Sequence, residues 1–173
     1  PVTFKTGGRK TVARAYWNNK QFCLAVEVDE DKLLGLAGSA KRGFMDAVQF
    51  ALSPAGVSAE KSGNAGRYEF LVTSSGSMWS ADKCYLLSGK GEVPNARCSL
   101  KGLDVKDAEV VVKRSGTATR YEIAVPFSSM PEIRPAPGRE ICFGLLVHDP
   151  DGVGVRDMGD VMNMWEERRR PQV

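Results

Sequence analysis

Between Arg139 and Asp157 the chain reads REICFGLLVHDPDGVGVRD, and the middle of this stretch alternates without a break. Ile141, Phe143, Leu145 and Val147 fall on one side, Cys142, Gly144, Leu146 and His148 on the other. Period two sustained over eight residues predicts a half-buried β-strand. Asp149-Pro150-Asp151-Gly152 then supplies turn chemistry, so the chain reverses there. His148, the only histidine, closes the strand on the side away from the apolar row. One face of this strand is expected in a core and the other lining whatever groove the protein has.

The same signature recurs along the chain. Thr11–Trp17 and Gln21–Val28 flank Asn18-Asn19-Lys20 and predict a hairpin, with Phe22, Leu24, Val26 and Val28 inward. Asp46–Leu52 and Arg67–Thr73 alternate likewise, and Asp82–Leu87 and Arg97–Leu100 do so more weakly. Asp107–Arg114 and Arg120–Phe127 form a further pair around Ser115-Gly116-Thr117, with Val110, Val112, Tyr121, Ile123 and Val125 inward. The proline-rich stretch Ser128–Pro137 does not continue a central strand. Many short strands without a sustained helical period predict an all-β fold, an antiparallel β-sandwich of jelly-roll type in a single domain, 1–173.

A length of 173 residues suits one domain with a sizeable core. A net charge of +3 is too mild for a nucleic-acid partner, and no apolar run approaches the ~18 residues of a membrane helix. A first residue of proline, without a preceding leader, reads as an excised or processed piece whose edges are truncated. Four cysteines without a CxxC pair argue against zinc. Cys84 and Cys98 flank a Gly/Pro-rich reversal and would meet across a hairpin in an oxidising compartment, whereas Cys23 and Cys142 read as buried thiols.

Five segments, in order, resemble family 9 carbohydrate-binding modules. YWNNKQFCLAVEVDED is similar to that family's opening hairpin, DAVQFAL to its D-S-V-E-I-F-I-D strand and RYEFLVT to its Q-F-x-V-N strand. RYEIAVPF resembles its V-E-A-A-I-P-W strand, and PGREICFGLLVHDPDG its P-x-x-x-I-G-F-x-x-Q-V-N-D-A-D strand and turn. The resemblance spans roughly residues 11 to 165. It implies a non-catalytic sugar-binding sandwich, appended to a secreted carbohydrate-active enzyme and therefore extracellular or periplasmic. Its partners would be an oligo- or polysaccharide and the neighbouring domains of a longer chain. The family's two aromatic platforms would fall at Phe44 and Trp165, and its polar contacts at Gln49, Leu71, Thr73, Leu146 and His148. Structural calcium is implied near Asp29, Glu30 and Asp31.

Strand parity gives its own version of the site. The face opposite the core displays Ala47, Gln49, Ala51, Glu69, Leu71, Thr73, Gly144, Leu146 and His148. A saccharide needs aromatic faces for stacking and planar polar groups for paired hydroxyls. Trp165, Phe44 and Trp79 supply the first, and Gln49, Glu69, Thr73 and His148 the second. Trp17, at a strand end before a tight turn, reads as packing, and a lone His148 or Glu69 also reads as an ordinary strand residue. Asp149 and Asp151, with Asp29 and Asp31, are candidate calcium ligands, although turn formation explains the DPDG aspartates more simply. Two other classes compete: a haem carrier on the same fold with His148 and Met45 as axial ligands, and a structural or interaction module whose sugar site has decayed. Catalysis is disfavoured, because no carboxylate pair is distinguished by its surroundings and no G-x-S-x-G elbow accompanies His148.

Overall fold

The computed structural model describes residues 1–6, 8–36, 45–55, 66–77, 79–88, 100–152 and 154–157. Among these residues ten strands form two five-stranded antiparallel sheets, and the helical structure is one 3-10 turn at Phe127–Ser129. The first sheet runs β1 (Val2–Thr6), β2 (Arg9–Trp17), β3 (Gln21–Asp29), β8 (Ala118–Pro126) and β7 (Glu109–Ser115). The second runs β10 (Gly154–Asp157), β9 (Ile141–Asp149), β4 (Ala47–Pro54), β5 (Tyr68–Thr73) and β6 (Lys83–Ser88). The chain passes between the sheets after β3, β6 and β8. The all-β sandwich read from alternation is therefore the fold.

Local chemistry fixes each reversal. The Asn18 side-chain oxygen accepts hydrogen bonds from the Lys20 and Gln21 amides at 2.8 and 3.0 Å, which closes the β2–β3 hairpin. Across that hairpin Ala13 stands opposite Val26 and Ala15 opposite Leu24, so a slip of one residue would turn the apolar row outward. The exposed edge of β7 is tied down by Asp82, whose Oδ2 accepts from the Val112 amide at 2.7 Å. Its Oδ1 meanwhile takes the Ser74 hydroxyl and the Ser75 amide at 3.1 Å each. One carboxylate thus joins the edge of one sheet to a loop of the other.

The core lies where the predicted parity puts it. Phe22, Leu24, Val26, Val28, Tyr121, Ile123 and Val125 meet Val48, Phe50, Leu52, Phe70, Val72, Leu145 and Val147 between the sheets. Phe22 of the first sheet stacks on Phe50 of the second with centroids 6.0 Å apart, and Phe50 stacks on Phe70 at 5.1 Å.

Several expectations are corrected. Neither β1 nor β10 is among the expected strands, and both form by pairing along an existing edge. Leu100 belongs to no strand, and residues 97–99 lie outside the described residues. Trp17 is 53% exposed: it stands opposite Phe22 on a stretch of β2 that β1, paired only as far as Ala13, leaves as a sheet edge. Cys84 is a free thiol packed in the core, with its pKa pushed up to about 12 by burial, so the hairpin disulfide is not formed. Cys98 lies outside the described residues.

A Cβ at Gly35 would lie 2.5 Å from the Gly76 backbone, where the loop before β4 crosses the loop after β5. Backbone does not yield as a side-chain tip does. Gly35→Ala is therefore expected to destabilise the fold by ~1–3 kcal/mol, and Phe50→Ala by ~3–5 kcal/mol, both measured by urea unfolding. An unchanged midpoint for Phe50→Ala would contradict the packing described.

Candidate functional site

The second sheet has no solvent face at its centre. On the side away from the sandwich core, Met45, Ala47, Leu71, Tyr85, Leu87 and Leu100 form a second buried cluster, with Leu36 and Leu103 packed against it. Residues 103–105 run along the edge of β6, through Leu86 amide to Leu103 carbonyl and Val105 amide to Cys84 carbonyl, both at 2.9 Å. That pairing lays Leu100 and Leu103 over the sheet. Leu71 and Leu146, which fill two of the polar positions implied by the resemblance, are both buried.

The polar residues of this face lie among them, and three of them meet one another. Gln49 on β4 stands opposite Leu71 on β5 and Leu146 on β9. Its side-chain nitrogen donates to a Glu69 carboxylate oxygen, and its side-chain oxygen lies 2.8 Å from His148 Nε2. Gln49 is 1% exposed, Glu69 and Thr73 are fully buried, and His148 is half-buried. The Thr73 hydroxyl donates to the Asp46 carbonyl at 2.7 Å. The structure therefore brings Gln49, Glu69 and His148 into one chain of contacts, which serves the interior of the sheet (a polar group buried in apolar surroundings must find a partner).

Trp79, by contrast, is 92% exposed in the loop that follows β5. Phe44 and Trp165 lie outside the described residues. The haem arrangement does not fit the residues present. His148 Nε2, the atom that would ligate iron, is engaged by Gln49, and Met45 is packed in the second cluster.

At one end of the sandwich, where β3 ends, β4 begins and β9 ends, Glu30, Asp46 and Asp149 converge. One carboxylate oxygen from each lies within 4.8 Å of the others, and all three residues are buried. Their place follows from parity: Glu30 continues the inward row of Val26 and Val28, Asp46 that of Val48, and Asp149 that of Val147. The three acids thus lie where the apolar rows run out. Glu30 is anchored by its amide to the Thr117 carbonyl at 2.9 Å, and Asp46 receives the Leu34 amide on its Oδ2. Gly152 curls over the third acid, and a Cβ there would fall 2.3 Å from an Asp149 carboxylate oxygen.

The Glu30 carboxylate is 1% exposed, and neither of its oxygens meets a hydrogen bond of normal geometry among the described residues. Arg114 approaches it only to 3.8 Å and spends its Nη2 on the Glu30 and Asp31 carbonyls. Burial is the main cause that drives the Glu30 carboxyl up to about 7, helped by the charges of Asp46 and Asp149 and opposed by Thr119 and Arg114. Of the four predicted ligands, Asp149 alone is in this cluster. Asp29 and Asp31 turn outward to Arg9, and Asp151 is exposed on the turn. Of Asp29, Glu30 and Asp31, the loop where the resemblance implies calcium, Glu30 alone turns inward, as extending the β3 alternation by one step predicts.

No family model and no curated protein matches the chain. Solved structures do. A family 9 carbohydrate-binding module from Caldicellulosiruptor kristjanssonii in complex with glucose aligns with a TM-score of 0.59 at 14% identity, covering 94% of this chain and 74% of that one. The module in complex with cellotriose gives 0.56 at 12%, covering 91% and 67%. A candidate carbohydrate-binding protein from Bacteroides uniformis gives 0.57 at 12%, covering 86% and 67%.

In the presence of chelator, Glu30 holds its proton more tightly folded (about 7) than unfolded (its ordinary 4.5). The stability it contributes is complete below pH 4.5 and is lost as the pH rises through about 7, a fall of roughly 2–3 kcal/mol. Urea unfolding across this range should show that slope in the wild type and a flatter one in Glu30→Gln. Equal slopes would remove Glu30 as its source.

Proposed function

From a fold shared with family 9 carbohydrate-binding modules, we propose that this chain is a non-catalytic saccharide-binding module steadied by a divalent cation at Glu30, Asp46 and Asp149. The observation that carries the first half is the alignment of nearly the whole chain with modules solved in complex with glucose and with cellotriose. On this reading the module is attached to a larger carbohydrate-active protein and works outside the cytoplasm. Among the described residues, no helix is long and apolar enough to cross a membrane. Trp79, Trp165 and Phe44 are the aromatic candidates for sugar stacking, with His148 at the margin of the buried polar row.

The second half rests on Glu30. Three buried carboxylates face one another with an arginine held at a distance, and oxygen-only donors of this kind suit a hard cation such as Ca2+. The bound ion would replace the proton that burial otherwise forces on Glu30, and its ligands would fasten the ends of β3, β4 and β9 together. A different observation favours a second reading. The sheet face that the resemblance assigns to sugar is closed by Leu71, Leu100 and Leu146, as in an interaction module that no longer binds glycans there.

Two measurements bear on this. At pH 7.5 a hundredfold excess of Ca2+ over its Kd should add about 2.7 kcal/mol, raising Tm by roughly 5–10 °C. EDTA should reverse the rise, and Glu30→Gln and Gly152→Ala should abolish or weaken it, the latter by displacing the Asp149 carboxylate. Identical melts with Ca2+ and EDTA would overturn the cation site. A glycan array on the purified chain tests the rest: Trp165→Ala should weaken glycan binding by ~1–3 kcal/mol with folding intact, and a wild type that captures no glycan leaves the interaction-module reading.

A further inference from the structure

Outside the face just described, the first sheet carries a second feature suited to a saccharide. On its outer surface the two central strands present only small side chains in the row from Tyr16 to Glu109. Tyr16 on β2 stands opposite Cys23 on β3, Cys23 opposite Ala124 on β8, and Ala124 opposite Glu109 on β7. In the next row Ala25 lies opposite Glu122, and Glu122 opposite Val111. The flanking strands rise as walls around a floor made of Cys23, Ala25 and Ala124. The result is an open depression of about 380 Å3, near the lower end of small-molecule sites (about 300–1,000 Å3).

Its chemistry is mixed in the way a sugar ring requires. Tyr16 is 64% exposed and stands opposite Cys23 on the neighbouring strand, so its ring lies beside the floor with a face open for stacking. Val111, 40% exposed, adds an apolar contact on the opposite wall. Glu109 and Glu122, both exposed, present acceptors for hydroxyl donors, and the Gln21 amide lies alongside, donating to Cys23 Sγ at 3.6 Å. The two carboxylates disfavour an anionic ligand at this end. A second depression of about 380 Å3 shares Val111 and Glu122 and continues along β7 and β8 to Ser115 and Ala118. From Glu109 to Ser115 an extended strand spans on the order of 20 Å, which suits a chain of sugar units rather than a single ring.

We propose that the outer face of the first sheet is an oligosaccharide-binding trough, with Tyr16 as its stacking platform, Glu109, Glu122 and Gln21 as hydroxyl partners, and Cys23, Ala25 and Ala124 as its floor. This rests on the saccharide-binding reading and adds a contact on the sheet opposite the closed one.

The test is affinity for a panel of neutral gluco-, xylo- and manno-oligosaccharides, by titration calorimetry, on the wild-type chain and on Tyr16→Ala, Tyr16→Phe and Ala124→Arg, with thermal melts confirming that each variant folds. Tyr16→Ala is expected to lose about tenfold or more in affinity, Ala124→Arg to lose binding by filling the floor, and Tyr16→Phe to stay within about threefold of the wild type. Folded Tyr16→Ala and Ala124→Arg proteins that bind the panel as the wild type does would overturn the trough while leaving the saccharide-binding reading standing. A folded wild type that binds none of the panel would overturn both.

Discussion

Strand β4 has no face to give to water, and most of the molecule's arrangement follows from that constraint. Val48, Phe50 and Leu52 pack between the sheets, while Ala47, Gln49 and Ala51 are buried on the other side. A strand confined from both sides has one register open to it, since a shift of one residue would drive Gln49 into the aromatic stack. The single polar side chain on its far side must then be met from both neighbours, and Glu69 of β5 and His148 of β9 do so. The fixed register also sets what lies at the strand's entrance. With Ala47 opposite His148, Asp46 falls beside Asp149, and Glu30 arrives from the facing sheet.

These two polar groupings differ in how they are balanced. The Gln49 row is linked by hydrogen bonds from Glu69 through Gln49 to His148, and it lies largely within the interior. The carboxylate trio draws charges of one sign together, and burial makes that of Glu30 in particular costly unless a proton or a cation answers it. The same end of the sandwich therefore carries both the pH sensitivity of the bare chain and the affinity proposed for a metal. The two compete for one oxygen-lined space.

Alternation alone revealed eight of the inward rows' segments in outline and their facing directions, because half-buried strands repeat every second residue and little else does. From Phe22 to Val28 and from Ile141 to Val147 the reading needed no correction. What lay beyond it was set by partners remote in the chain. Leu100 and Leu103 cover Leu71 only because residues 103–105 add themselves to the edge of β6, a pairing that no local pattern announces. The sheet face read as a groove is for that reason closed. Glu30 shares its implied calcium loop with Asp29 and Asp31, and only the fold tells them apart, by turning the two aspartates to Arg9. Tyr16 was passed over because its worth comes from Cys23 and Ala124, small residues on other strands that leave room beside it.

Cys84 has a consequence for where such a domain is able to operate. Thiol–disulfide exchange proceeds through the thiolate, and a sulfur whose proton leaves only near pH 12 is silent in that chemistry at any physiological pH. This cysteine neither staples the sandwich nor threatens it with mispairing. At this position the two layers are held by packing around a buried sulfur rather than by a covalent link.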